Sequence, residues 1–93
     1  MNGMVYIRGD RSDFDKWHDL GNQGWSYNDV LPYFRKAERN VRGESQYHGA
    51  FGPLHVSEGD ASFEAYRAFI EAAASLGYPQ NNDFNGDTQE GIG

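Results

Sequence analysis

Four groups of residues in this chain are suited to chemistry: three histidines, a spaced set of oxygen ligands, a run of arginines, and an amide followed by glycine. His18, His48 and His55 carry the side chain that most readily exchanges a proton near neutral pH and that often binds metal. His48 falls in a glycine-bearing loop and His55 alternates along a short strand-like stretch, so packing or surface hydrogen bonding is the expected role of both. Asp83, Asn85 and Asp87 alternate as the first ligands of a calcium loop do. Thr88 stands where the sharp-turn glycine is required, and the bidentate acid position falls past Gly93, so no metal site is expected. Arg35, Arg39 and Arg42, with Lys36 adjacent, fall on one helical face that could attract a phosphate. Their place near a helix C-terminus offers a simpler reading, since cations there complement the dipole while staying solvated. Asn2 both donates and accepts hydrogen bonds, and Gly3 lets backbone approach a ligand closely. On sequence alone, an Asx-type turn before an ordinary strand is the commoner explanation of such an asparagine.

Few elements are available to position these groups. Met1-Asn2-Gly3-Met4-Val5-Tyr6-Ile7 opens the chain as an apolar, strand-capable run, and Arg8-Gly9-Asp10-Arg11 is a turn signal. Ser12, with Asp15 three residues on, predicts a capped short helix whose buried face holds Phe14, Trp17 and Leu20. Gly21-Asn22-Gln23-Gly24 ends it. Ser26 with Asp29 repeats the capping pattern, and Tyr27, Val30, Leu31, Phe34, Ala37 or Glu38, and Val41 follow one face of a longer helix. Pro32 interrupts that pattern and predicts a tight first turn ahead of it. Residues 43–52 read as a glycine-rich loop, and Pro53-Leu54-His55-Val56-Ser57 as one short edge strand with no evident partner. From Ser62 onward, Phe63, Tyr66, Phe69, Ile70, Ala73 and Leu76 define a third helix stopped by Gly77 and Pro79. Its rings Phe63, Tyr66 and Phe69 are expected to form a core stripe. Residues 78–93 are turn formers without a self-sufficient element.

With 93 residues the chain holds one domain at most. Its apolar fraction of 38% is low, partly offset by 15% aromatics. The net charge of -6 is uneven: residues 1–46 carry seven basic and seven acidic side chains, whereas residues 47–93 carry only Arg67 against seven acids. Such a surface repels phosphate backbones and anionic lipid heads, which disfavours nucleic-acid and membrane-surface binding. The absence of cysteine excludes disulfides, thiolate zinc sites and a cysteine nucleophile. No run approaches the ~20 apolar residues that span a bilayer, and a soluble, cytoplasmic segment is expected. Ile92 stands stranded among glycines at one end, and the opening run begins without a polar lead-in at the other, so both termini read as interrupted structure.

The string Asn2-Gly3-Met4-Val5-Tyr6-Ile7-Arg8-Gly9, then Asp13-Phe14-Asp15-x-Trp17 and Gly24-Trp25-Ser26-Tyr27, resembles the segment following the Gly-Gly-Ser-Ser turn of glucose-methanol-choline (GMC) oxidoreductases. Leu31-Pro32-Tyr33-Phe34-x-Lys36-Ala37-Glu38, His48-Gly49-x-x-Gly52-Pro53-Leu54-x-Val56 and Asp83-Phe84-Asn85-Gly86-x-x-Gln89-Glu90-Gly91-x-Gly93 continue the resemblance in family order. It covers essentially the whole chain, and the Asn2 to Gly9 string is most similar to choline and aliphatic-alcohol dehydrogenases.

The resemblance implies an α+β segment, mainly helical with one or two short strands, forming part of an N-terminal FAD-binding domain truncated at both ends. It implies FAD as cofactor and a small-molecule alcohol as substrate, with hydride passing from the carbinol carbon to flavin N5 while a base takes the hydroxyl proton. By the same resemblance Asn2, Gly3, Met4 and Val5 contact the flavin cofactor, and the catalytic histidine and its partner lie beyond Gly93. His48 then belongs to a structural motif, and His18 matches no catalytic position. The dinucleotide fingerprint G-x-G-x-x-G is absent, so the 93 residues alone are expected neither to retain FAD nor to turn over an alcohol. Helix faces suited to missing neighbours predict marginal stability and self-association. A small acidic, non-catalytic protein-interaction module is the alternative from a different class.

Overall fold

The computed structural model describes residues 3–60 and 62–93 and contains three helices and two short strands, the mainly helical α+β class expected. These are α1 (Arg11–Asp19), α2 (Tyr27–Ala37), β1 (Glu38–Asn40), β2 (Leu54–Val56) and α3 (Glu64–Ser75). They divide between two compact units, Met1–Ser57 and Glu58–Gly93.

In the first unit the cap of α1 lies two residues before the expected one. Asp10 is the N-cap, and its carboxylate accepts the Ser12 amide at 2.8 Å. Aspartate leaves the first-turn donors better satisfied than serine would, because its charge also complements the positive end of the helix. Gly21, with φ of 102°, ends α1 as expected: its amide donates to His18 and the Asn22 amide to Trp17, the paired bonds of a Schellman stop. The Ser26–Asp29 capping box of α2 is fully formed, and Asp15 accepts the Tyr27 amide at 2.9 Å, tying α1 to the first turn of α2.

Pro32 does not restart the helix. α2 runs continuously through it, forgoing the one bond that the Asn28 carbonyl would accept, because the capping box and the apolar face hold the turns on either side. The helix ends at Ala37 rather than extending toward Val41. Glu38 turns extended (φ -87°, ψ 141°) and opens β1, the partner of β2 that composition did not disclose. The pairing is parallel, Glu38 with Leu54, Arg39 with His55 and Asn40 with Val56. Residues 41–53 return between them so that Arg39 also bridges Ala50 in antiparallel sense.

The core of this unit is aromatic. Phe14 and Tyr27 are its buried apolar side chains among the described residues, and Phe14 lies 5.4 Å from Trp17 and 5.7 Å from Phe34, ring centre to ring centre. Trp17 itself is half exposed and stacks edge-on with Trp25. Leu20, expected on the buried face, is exposed because the chain has already left the helix there.

The described part of the opening run, Gly3 to Ile7, is not a strand. Gly3 through Asp10 adopt neither helix nor strand, and the two-stranded sheet consists of β1 and β2. Met1 and Asn2 lie outside the described residues.

In the second unit α3 ends as expected, Gly77 (φ 90°) and Tyr78 donating back to Ala74 and Ala73. The expected core stripe is corrected: Phe63, Tyr66 and Phe69 are exposed, and no residue of α3 is buried. Helical spacing dictates that these rings share a face, but burial needs a neighbour that Glu58–Gly93 does not provide. Residues 78–93 carry no helix or strand, but their ends are tied. Gln80 bridges Ile92, and the Asn81 amide group donates to the Thr88 and Glu90 carbonyls at 2.8 and 3.0 Å.

Candidate functional site

Of the four residues expected at the cofactor, Asn2 lies outside the described residues, and Gly3, Met4 and Val5 follow one another along an exposed arm. Met4 is 93% exposed and Val5 73%. Met4 also has φ of 53°, the left-handed region that few residues other than glycine adopt. Such backbone costs on the order of 1 kcal/mol. Ile7 is exposed, Tyr6 is half-buried, and the arm ends abruptly at Arg8, which is buried.

Arg8 is fixed by residues far along the chain. One guanidinium nitrogen donates to the Tyr47 carbonyl at 2.7 Å and another to Glu38 Oε2 at 2.8 Å, while the group as a whole sits 5.1 Å from the Phe34 ring centre. Glu38 is 0% exposed. Besides Arg8, it accepts the Gly49 amide at 3.1 Å and the Asn40 side-chain amide at 3.1 Å, and His48 Nδ1 lies 3.0 Å from each of its oxygens. Burial opposes ionisation of this carboxyl. The hydrogen bonds from Asn40, His48 and Gly49, together with the Arg8 charge, outweigh burial and hold the Glu38 pKa below its ordinary value of 4.5. An ionised carboxylate only accepts, so the Nδ1 of His48 is the nitrogen that carries the proton. The result is a neutralised ion pair with its oxygens satisfied, the condition under which buried charge is tolerated.

Two glycines make this packing possible. A Cβ on Gly49 would overlap the Arg35 carbonyl, and one on Gly52 would overlap the Ala37 carbonyl group, so the loop backbone lies directly against the end of α2. The Asn40 amide donates to Gly49 and the Gly52 amide to Glu38, both at 2.8 Å. The His48-Gly49-x-x-Gly52 string is thus a structural motif, as the family resemblance implied.

Sequence reasoning missed the Arg8–Glu38 pair. One signal was present: Glu38 falls on the apolar face of the α2 pattern, and a carboxylate at a core-facing position requires a buried cation or donors.

The remaining candidates stay apart from this cluster. His55 is exposed on β2 and His18 half-buried on α1. Arg35, Arg39 and Arg42 do not line one helical face, because α2 stops at Ala37. Arg35 pairs with Glu44 at 3.0 Å, Arg39 stands in β1 and Arg42 in the turn beyond it. Asp83 uses its carboxylate within the backbone turn, accepting the Asn85 amide at 3.1 Å. Among the described residues no group of three His, Cys, Asp or Glu side chains is placed to hold a metal ion, and no helix is long and apolar enough to cross a membrane.

All of residues 1–93 match the family described as GMC oxidoreductase. The chain is 50% identical over 93 residues to the oxygen-dependent choline dehydrogenase of Rhizobium rhizogenes, covering 100% of this chain and 17% of that protein. It is likewise 50% identical to the mitochondrial choline dehydrogenase of Mus musculus, covering 16% of it. Among solved structures, pyridoxine 4-oxidase from Mesorbium loti superposes with a TM-score of 0.78 at 40% identity, over 88% of this chain and 16% of that one. An FAD-dependent oxidoreductase from Chaetomium thermophilum superposes with a TM-score of 0.77 at 35% identity, over the same shares. The chain therefore spans 16–17% of the length of these proteins. It belongs to the GMC oxidoreductase family.

Proposed function

We propose that this chain is an internal part of the N-terminal FAD-binding domain of an oxidoreductase acting on CH–OH groups of alcohol or choline-type donors. Half-identity to two choline dehydrogenases along the full 93 residues carries the substrate class. FAD, when bound, supplies the hydride acceptor for the carbinol carbon. Asn2, Gly3, Met4 and Val5 contact it in this reading. The exposed arm fits that role: among the described residues, an added Cβ at Gly3 would meet Val5 Cγ2 at 3.3 Å and nothing else within 4 Å, and Met4 holds a backbone conformation that free chain rarely adopts. What the chain's own residues do is present that backbone while Arg8 pins its far end.

The test is to express the full-length protein encoded at the native locus and measure bound flavin and the oxidation of choline and simple alcohols. Flavin at one per chain with choline turnover is expected; a protein that purifies without flavin and oxidises none of these donors would refute the reading. The 93 residues alone neither retain FAD nor turn over an alcohol, so tight retention by the isolated chain counts against it. In isolation the chain also self-associates through its exposed aromatic faces, which sedimentation at several concentrations would show. A cytoplasmic location belongs to the same reading and is tested by cell fractionation.

A further inference from the structure

We infer that Arg8, Glu38 and His48 form a positioning triad that sets where the cofactor-facing arm leaves the folded unit, and so governs flavin geometry without touching flavin. This rests on the reading of Gly3, Met4 and Val5 as cofactor contacts.

Three observations carry it. Gly3 to Ile7 belong to no helix or strand, so no ladder defines their path. Arg8 is the first buried residue after the arm, and its guanidinium is held from two sides, by the Tyr47 carbonyl and by Glu38, over the Phe34 ring. Glu38 is in turn held by groups from β1 and the following loop, namely Asn40, His48 and the Gly49 amide. The orientation of Arg8 therefore depends on a carboxylate that is itself over-determined, and the backbone direction at residue 8 is inherited by Val5 and Met4. Four residues of chain reach at most ~13 Å, so Met4 stays within that distance of Arg8 and a change in how Arg8 is held can displace it on the ångström scale. Misplacement on that scale costs ~10- to 100-fold in rate when the displaced group orients a reacting centre.

The experiment uses the full-length flavin-loaded enzyme. Glu38→Gln keeps the shape of the side chain and removes the charge, Arg8→Lys keeps the charge and removes the two-pronged hold, and His48→Asn keeps a donor. Ser26→Ala, which weakens the α2 cap and touches none of Arg8, Glu38 and His48 in the bonds of the α2 capping box, is the control for lost stability alone. All are assayed well below their melting temperatures. In the triad variants kcat for choline is expected to fall at least ~10-fold with KM changed less than ~2-fold, and the visible absorption bands of the bound flavin to shift. Arg8→Lys should retain more activity than Glu38→Gln. The Ser26→Ala enzyme should melt earlier yet keep the parent spectrum and kcat. Triad variants that match Ser26→Ala in spectrum and kcat would overturn the inference.

If Glu38→Gln fails to fold, Arg8→Lys decides by the same criteria. If the parent protein carries no flavin, the functional reading falls, and the triad is judged by hydrogen exchange of the amides of residues 3–9. Faster exchange there in Glu38→Gln than in Ser26→Ala supports the clamp, and equal exchange rejects it.

Discussion

Breaking the buried pair from one side should harm the first unit more than removing both charges. Glu38→Leu leaves the Arg8 guanidinium, whose side chain is 2% exposed, without its counter-charge, a change that costs about 3–5 kcal/mol. Arg8→Met strands the fully buried carboxylate at similar cost. In the double variant no charge remains, and replacement of buried pairs by apolar groups of similar size is often neutral. Here the Gly49 amide and Tyr47 carbonyl lose partners, each worth ~1–3 kcal/mol and each already lost in one of the single variants, so a loss of up to about 2–6 kcal/mol is expected without the added cost of a stranded charge. At ~0.05–0.15 kcal/mol per residue, the unit Met1–Ser57 has about 3–9 kcal/mol of stability to lose. Each single variant should therefore unfold at a lower urea concentration than the parent, and the double variant at a higher one than either single. Trp17 and Trp25 both lie in this unit, so their fluorescence during urea titration of the 93-residue chain reports it directly. Single variants that unfold at the parent midpoint, or a double variant no more stable than the worse single, would refute a desolvated and mutually compensated pair.

Gly49→Ala should destabilise the unit by about 1–3 kcal/mol or more, since its Cβ would overlap the Arg35 carbonyl and neither backbone has room to yield; a urea midpoint unchanged from the parent would contradict this. Because the Glu38 pKa is depressed on folding, its contribution is fully present above the unfolded value near 4.5 and is lost as pH falls through the lower folded value. The parent should thus lose more stability as pH falls below about 4.5 than Arg8→Met/Glu38→Leu, whose other carboxylates are the same. Pro32→Ala restores a donor to the interior of α2 and should stabilise by about 1 kcal/mol, the propensity gain of up to ~3 being reduced by the greater freedom of the unfolded alanine chain. A lower melting temperature in that variant would show that the proline ring makes a contact outweighing the missing bond.

What was legible in the sequence was local. The Ser26–Asp29 box and the glycine stops at Gly21 and Gly77 form between groups a few residues apart, so residue type and spacing determine them. The Arg8–Glu38 bond spans 30 positions and the His48–Glu38 bond 10, and neither spacing has a local signature. β1 was invisible for a related reason. Glu38-Arg39-Asn40 has little intrinsic preference for a strand, and Gly49 and Gly52 let a loop approach the end of α2 and bond to it at Asn40 and Glu38. The opening run failed in the opposite direction. Val5 and Ile7 have strand-forming side chains, but a strand exists only where a partner does. Of the candidate site, the arm was reached through family resemblance, whereas its anchor became apparent only once the chain was folded.

Polar and apolar burial are unevenly completed in this segment, and the physics of each accounts for the difference. A fully buried carboxylate requires charge and donors close at hand, and leaving it without them costs several kcal/mol at a single site. Its partners are accordingly all present between Arg8 and Gly49. Apolar exposure costs only ~25 cal/mol for each Å² and is spread over many groups, so a segment tolerates it without any one residue being decisive. Met4, Phe63 and Phe69 are exposed accordingly, in a chain that covers 16–17% of the length of its relatives. The polar cluster can therefore define the direction of the arm from within the segment, while the apolar faces leave the segment's stability open to whatever covers them. A substitution at Glu38 and one at Phe69 should consequently differ in kind: the first disrupts the isolated chain itself, and the second leaves the fold of the isolated chain unchanged.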